Sequence, residues 1–325
     1  MPVVPATEDA IRQAAKALAR GDIVAFPTET VYGLGANALD GTAVAKVFAA
    51  KERPRFNPLI VHVLGLAEAE AYAIVDGPAR KLAEAFWPGP LSLVLRKRAG
   101  CPIAELVTAG LDTIALRAPA HPVARSLLAD SGLPIAAPSA NRSGRISPTI
   151  AAHVEAELGD RPAMILDGGP CPLGLESTVV SVVGPTPTLL RLGALPREAI
   201  ETVLGQKLAS AKSDGPVTSP GQLATHYAPN TPLRLGATTV RRNEALLAFG
   251  RDVPDGALAA INLSASGDLQ EAAARLFGAL RELDQAGASV IAVMPIPAHG
   301  LGEAINDRLQ RAACSVKPRR ASDQS

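Results

Sequence analysis

No stretch of these 325 residues approaches the roughly 20 consecutive apolar positions that a membrane-spanning helix needs. The start, MPVVPATEDAIRQ, has no basic segment followed by an apolar core and does not read as a secretory signal. Cysteine is scarce. Cys101, Cys171 and Cys314 are odd in number, far apart and in no CxxC pair, which excludes a disulfide framework or structural zinc and points to a reducing cytoplasm. Aromatics make up only 3%, few for a surface that stacks bases. Excess charge of one sign is missing too: 32 Lys and Arg against 31 Asp and Glu leave a net charge of +1. A protein that coats nucleic acid needs a concentrated basic surface, and this balance gives none.

Catalytic signatures are absent as well. There is no GxxxxGK[ST] loop, so the chain is not a P-loop ATPase, and no HExxH or His/Cys cluster for a metal. No kinase signature set occurs, no GxSxG elbow surrounds Ser139, and no internal repeat appears. GLGANA is not a dinucleotide fingerprint, because a proline and five more residues separate it from the strand before it.

What is present describes a folded enzyme. A hydrophobic share of 47% and a charged share of 19% fit globular structure, and the length allows two domains. Over the first 200 residues, β-type runs (22–27, 91–96, 113–119, 134–140, 163–168, 177–183, 188–192) alternate with helical stretches (7–20, 79–87, 121–130, 149–158). That alternation predicts an α/β layer architecture, and the consecutive late strands predict a mixed sheet. A Gly-, Pro- and Ser-rich segment over 205–231 reads as a linker between a catalytic domain at 1–204 and a smaller Rossmann-like α/β domain at 232–325. Within the latter, 239–250 and 268–287 read as helices and 258–264 and 289–297 as strands.

Polar residues collect at strand ends, where open α/β sheets bind ligands. PTETVYGLGANA sets Thr28, Glu29 and Thr30 beside Gly33 and Gly35. KERPRFNPLIVHV places Lys51, Arg53 and Arg55 near Asn57, stiffened by prolines. These cations suit phosphate, although cations also complement a helix C-terminus. His62 alternates into the following strand, a position more typical of a packed histidine. Arg117 ends an apolar strand and requires an anionic partner; an internal carboxylate and a substrate carboxylate both answer that need. APSANRSGRISPT offers Ser139, Asn141, Ser143 and Ser147 as neutral donors. Ser177 and Thr178 open a strand, and Arg191 interrupts another. Cations and neutral donors with few bases suit a reaction driven by positioning and by charge stabilisation on phosphate.

PTETVYGLG, the K-x-R-P-x-x-N-P-L run, PGPLSLVL, LRAP, the S-A-N-x-S-G loop, ESTVV and LRLG occur in one order over residues 1–200, and SPG…HYAP follows at 219–229. The ordered set resembles the threonylcarbamoyl-AMP synthase family in its long two-domain form. The resemblance implies a twisted open sheet with a basic-lined cavity, and a nucleotidyltransferase. Its reaction joins L-threonine, bicarbonate and ATP into threonylcarbamoyl-AMP for tRNA modification next to the anticodon. It further implies magnesium with ATP, a downstream tRNA threonylcarbamoyl transferase complex as partner and a weak contact with tRNA. By motif, Lys51 and Arg53 take catalytic roles, and Thr30, His62, Arg117, Ala137 and Ser177 contact threonine. Arg53, Asn57, Thr113, Ser139, Ser147, Arg191 and Tyr227 hold ATP, with Tyr227 carried by a linker that folds back as a lid. Between SPG and HYAP this chain has QLAT, where long members often carry basic residues. The competing reading is an RNA-binding module with a concave basic surface.

Overall fold

The computed structural model describes residues 3–54, 56–211 and 227–314. Arg55, most of the expected linker and the polar tail lie outside them. The described residues form two units: one holds 3–143 and 147–211, the other 144–146 and 227–314.

The first unit opens with β1 (Val3–Pro5), α1 (Glu8–Ala19), β2 (Val24–Phe26), β3 (Gly33–Asn37), α2 (Gly41–Lys51) and β4 (Ile60–His62). It continues through α3 (Leu66–Tyr72), α4 (Gly77–Phe86), β5 (Leu91–Arg96), α5 (Glu105–Thr108), β6 (Thr113–Arg117), α6 (Pro122–Ser131) and β7 (Ile135–Ala136). It closes with α7 (Ala151–Leu158), β8 (Met164–Asp167), β9 (Thr178–Ser181), β10 (Thr188–Arg191), α8 (Arg197–Leu204) and β11 (Ala209–Ser210). Its strands form one mixed sheet in the order β1-β8-β2-β3-β7-β4-β6-β5-β9-β10-β11.

Local chemistry sets the helices that matter to the site. In α1, the Thr7 hydroxyl accepts from the Ala10 N–H, and Glu8 and Asp9 complement the dipole in the first turn. In α2, Asp40 caps the start, and Glu52 ends the helix in a left-handed conformation at φ 53°. That turn lets the Arg53 N–H reach back to the Phe48 carbonyl and leaves Lys51 as the last helical residue, buried.

The two faces of the central strands are used differently. Val61, Ile114, Leu116, Leu91, Leu93, Leu95 and Val180 join a large core with residues of α2, α4 and α7. Their alternating neighbours Ile60, Val94, Ala115 and Val179 form a small separate cluster to which no helix contributes. Strand periodicity explains the split, since successive side chains point to opposite faces. The register aligns Ile60 with Ala115 and His62 with Arg117, so these four share one face, helix-free at the small cluster and bordered at His62 by Ile135, which packs against α1 and α6.

The second unit contains β12 (Leu233–Leu235), β13 (Glu244–Ala248), β14 (Ala259–Asn262), α9 (Leu269–Asp284), β15 (Val290–Val293) and α10 (Leu301–Cys314). Its sheet runs β12-β15-β13-β14 with every pairing parallel. The expectation of a helix over 239–250 is corrected here. EALLA is a strand, wholly buried and bonded on both edges to β14 and β15. Its good helix formers yield to a central place in a parallel sheet, where a continuous apolar run is the normal pattern.

Candidate active site

The helix-free face has two ends, set by where β4 and β6 begin and finish. At the first end stand the residues leading into β4, Thr113 at the start of β6, and the loop after β7. β7 runs antiparallel to β4, so its continuation 137–139 travels back toward the start of that strand; the Ala137 N–H bonds the Ile60 carbonyl. Here the Lys51 ammonium donates to the Ser139 carbonyl at 2.5 Å and to the Asn141 carbonyl. Arg53 donates from Nε to the Asn57 carbonyl and from Nη2 to the Pro58 carbonyl, at 3.4 and 3.1 Å. Lys51, Arg53 and Asn57 are all buried. Burial, with the neighbouring Arg53 charge, holds the Lys51 amine well below its usual range. The Asn57 Oδ1 is buried with no hydrogen-bond partner among the described residues.

At the opposite end β4 finishes in His62 and β6 in Arg117. Arg117 is 4% exposed and is held from three sides. Its Nη2 meets Glu29 Oε1 at 2.6 Å, its Nη1 donates to the Thr30 hydroxyl at 2.9 Å, and its Nε to the Gly89 carbonyl at 3.3 Å. One anion beside Arg117 is thus a carboxylate of the chain itself, Glu29. The second Glu29 oxygen accepts from the Ala120 N–H at 3.0 Å. Burial works to raise the Glu29 carboxyl, and the Arg117 charge and hydrogen bonds outweigh it, leaving Glu29 below its ordinary value and ionised.

His62 is pushed down to about 3 by burial and by the Arg117 charge, so it is neutral, with its ring edge-on to Phe26. Its Nδ1 has no hydrogen-bond partner among the described residues. Ser177 shares a 2.8 Å hydrogen bond with Ser92, and its carbonyl accepts from Arg191 Nε and Nη2 at 3.1 and 2.8 Å. Ser147 donates to Glu176, the residue before Ser177. Gly193, the glycine of LRLG, is required here, because a Cβ would lie 2.4 Å from the backbone of Glu176, Ser177 and Thr178.

The expected threonine contacts Thr30, His62, Arg117 and Ser177 thus gather at one end, with Ala137 between the two. The expected ATP contacts divide. Arg53, Asn57, Thr113 and Ser139 lie at the first end, whereas Ser147 and Arg191 adjoin Ser177 at the second. Thr113, Ala115 and Arg117 alternate onto one face, so the apolar strip of Ile60, Val94, Ala115 and Val179 lies between the ends. Thr113 also borders a cavity of about 860 Å³ lined by Arg96, Lys97, Arg98, Asp112 and others. Tyr227 belongs to the second unit, where its buried ring stacks on Phe277 at 5.6 Å and lies 4.8 Å from the Arg308 guanidinium.

The sequence reading names Glu29 among the loop residues of PTETVYGLGANA without assigning it a ligand, and it does not name Glu176, which sits inside ESTVV. Two buried acids within hydroxyl-rich loops were the available signal. The charges of the two ends differ as a result. The second has two buried arginines, Arg117 and Arg191, against two buried glutamates, Glu29 and Glu176, and a neutral histidine. The first has buried Lys51 and Arg53 and no buried acid among the described residues.

Comparison with known proteins gives a consistent answer. A family model described as telomere recombination, covering Sua5, YciO and YrdC proteins, matches residues 16–193. A second, described as threonylcarbamoyl-AMP synthase, C-terminal domain, matches 195–314. The threonylcarbamoyl-AMP synthase of Bacillus subtilis is 43% identical over 93% of this chain and 92% of its own length. That of Pyrococcus abyssi is 42% identical over 93% and 94%. The crystal structure of P. abyssi Sua5 complexed with L-threonine superposes with a TM-score of 0.88 at 39% identity, covering 95% of each chain.

Proposed function

The chain belongs to the threonylcarbamoyl-AMP synthase family, and from that membership we propose how its two-ended sheet face carries the reaction. As a member it is a transferase that makes an adenylate, threonylcarbamoyl-AMP, for tRNA modification. The substrates proposed are L-threonine, bicarbonate and ATP. The threonine nitrogen takes up the bicarbonate carbon with loss of water, giving a carbamate. A carbamate oxygen then attacks the ATP α-phosphorus, and pyrophosphate leaves.

One observation carries the assignment of ends: the cationic end suits a polyanion, and the charge-balanced end suits a zwitterion. Thr30, His62, Arg117, Ala137 and Ser177 hold threonine; Arg53, Asn57, Thr113 and Ser139 hold the nucleotide. Ser147 and Arg191 adjoin the threonine residues, where the α-phosphate must meet the carbamate. Lys51 and Arg53 stabilise charge on phosphate oxygens, and an incoming phosphate offsets the desolvation that lowers the Lys51 amine. The buried, unpartnered Asn57 Oδ1 and His62 Nδ1 put one spare polar atom at each end. With its ring neutral and so weak a base, His62 orients substrate instead of moving protons. Magnesium is proposed to arrive on the ATP phosphates as part of the substrate. Among the described residues no group of three or more His, Cys, Asp or Glu is placed to hold a metal ion, and none of their helices is long and apolar enough to cross a membrane.

The test is pyrophosphate release by the purified chain with each substrate omitted in turn. Release is expected only when threonine, bicarbonate and ATP are all present. Release that ignores threonine overturns the proposal.

A further inference from the structure

The Arg117 guanidinium has five N–H groups, and three are engaged by Gly89, Thr30 and Glu29. One N–H on each Nη stays available, which is what a carboxylate ligand uses. Glu29 is in a similar position. Each of its oxygens takes one hydrogen bond, from Arg117 and from the Ala120 N–H, and keeps acceptor capacity. Its backbone is fixed too, because the Leu173 N–H bonds the Glu29 carbonyl. The side chain is 9% exposed, so it is neither sealed in the core nor freely solvated. A buried ion pair with spare capacity on both partners offers a cation and an anion side by side, the mirror image of an amino-acid zwitterion.

Resting on the reading that threonine occupies this end, we infer that Glu29 is a specificity-determining residue whose carboxylate recognises the ammonium group of the incoming amino acid. Arg117 alone would favour any small carboxylate. With Glu29 beside it the pair is neutral overall, so an anion lacking the ammonium gains from Arg117 but is repelled by Glu29. The zwitterion meets attraction at both of its charges. Glu29 thereby selects an α-amino acid over the corresponding hydroxy acid.

The experiment compares two ligands on the full chain by calorimetry: L-threonine and 2,3-dihydroxybutanoate, in which a hydroxyl replaces the ammonium. The wild-type chain is expected to prefer threonine at least tenfold, and Glu29→Gln to narrow that ratio to threefold or less, because the anion gains while threonine loses. An unchanged ratio in a folded Glu29→Gln chain overturns the inference, and a purely structural role for Glu29 predicts that result. Should Glu29→Gln not fold, the wild type decides alone. Raising pH through the ammonium pKa of free threonine, about 9, must weaken threonine binding and leave 2,3-dihydroxybutanoate unaffected; equal behaviour of the two overturns the inference. Failure of wild-type chain to bind threonine at all counts instead against the proposed function.

Discussion

The two ends of the helix-free face are built from the same strands and yet differ in charge economy. Where β4 and β6 begin, Lys51 and Arg53 are buried against backbone carbonyls, and the acid whose charge reaches Lys51 is the half-buried Glu157. Where the strands finish, Arg117 meets the buried Glu29 carboxylate, and Arg191 bonds the carbonyl of Ser177, the residue after buried Glu176. A carbonyl carries only a partial charge, so the first end retains most of its positive field and waits for an anion. The second is already balanced, and under the proposed reading it favours a ligand that carries both charges. Burial alone therefore does not mark a ligand site. The informative quantity is the charge that the fold leaves uncompensated.

The comparison breaks most readily at Arg117. Arg117→Ala removes the cation proposed to meet the threonine carboxylate, and threonine binding measured by calorimetry should weaken by about 2–5 kcal/mol, with ATP affinity changed less than about threefold. Equal loss for both ligands dissolves the distinction between ends. Lys51→Met is expected to lower kcat by about 10²–10³-fold, near 3 kcal/mol, while threonine still binds. An unchanged kcat would remove Lys51 from phosphate chemistry.

A smaller effect concerns pH. His62 has a folded pKa of about 3 against an ordinary 6.5, so the unfolded chain takes up its proton first. The stability tied to neutral His62 is complete above pH 6.5 and declines as pH falls toward 3. Between pH 6.5 and 5 the decline should be about 2 kcal/mol in denaturant unfolding, and His62→Gln should flatten it. Partly buried His121, also shifted down by burial, adds a lesser slope in the same window. Glu29, shifted below 4.5, contributes its loss only at more acid pH. A slope unaltered in His62→Gln means that the ring is not held neutral. The smallest expected change is Thr113→Ala, about 1 kcal/mol or fivefold in KM for ATP with KM for threonine constant, since one hydroxyl contact is removed.

The candidate residues could be named in advance, because they cluster within short motifs at strand ends, and strand ends follow from apolar runs. The pairing of Arg117 with Glu29 could not be read. The two lie 88 positions apart, and only the packing of β6 against the loop before β3 brings them together. β3 itself was hidden inside a motif taken as a loop. Gly33 and Gly35 look like turn residues, but in β3 they admit neighbours: a Cβ on Gly35 would lie 2.7 Å from both Ile135 and Phe26. The fold class followed from alternation, and β13, read as a helix, is the element whose composition favours helix while its neighbours demand a strand.

Strand geometry also fixes a length. Thr113 and Arg117 are four residues apart along β6, which at about 3.3 Å per residue separates them by about 13 Å. Free threonine is too short to touch both, whereas threonine joined to AMP is long enough to hold both anchors at once. With Arg117 on threonine and Thr113 on the nucleotide, as proposed, engaging the second anchor is intramolecular, and the finished adenylate is expected to bind more tightly than either half. On that reading β6 is a gauge for the length of the completed molecule.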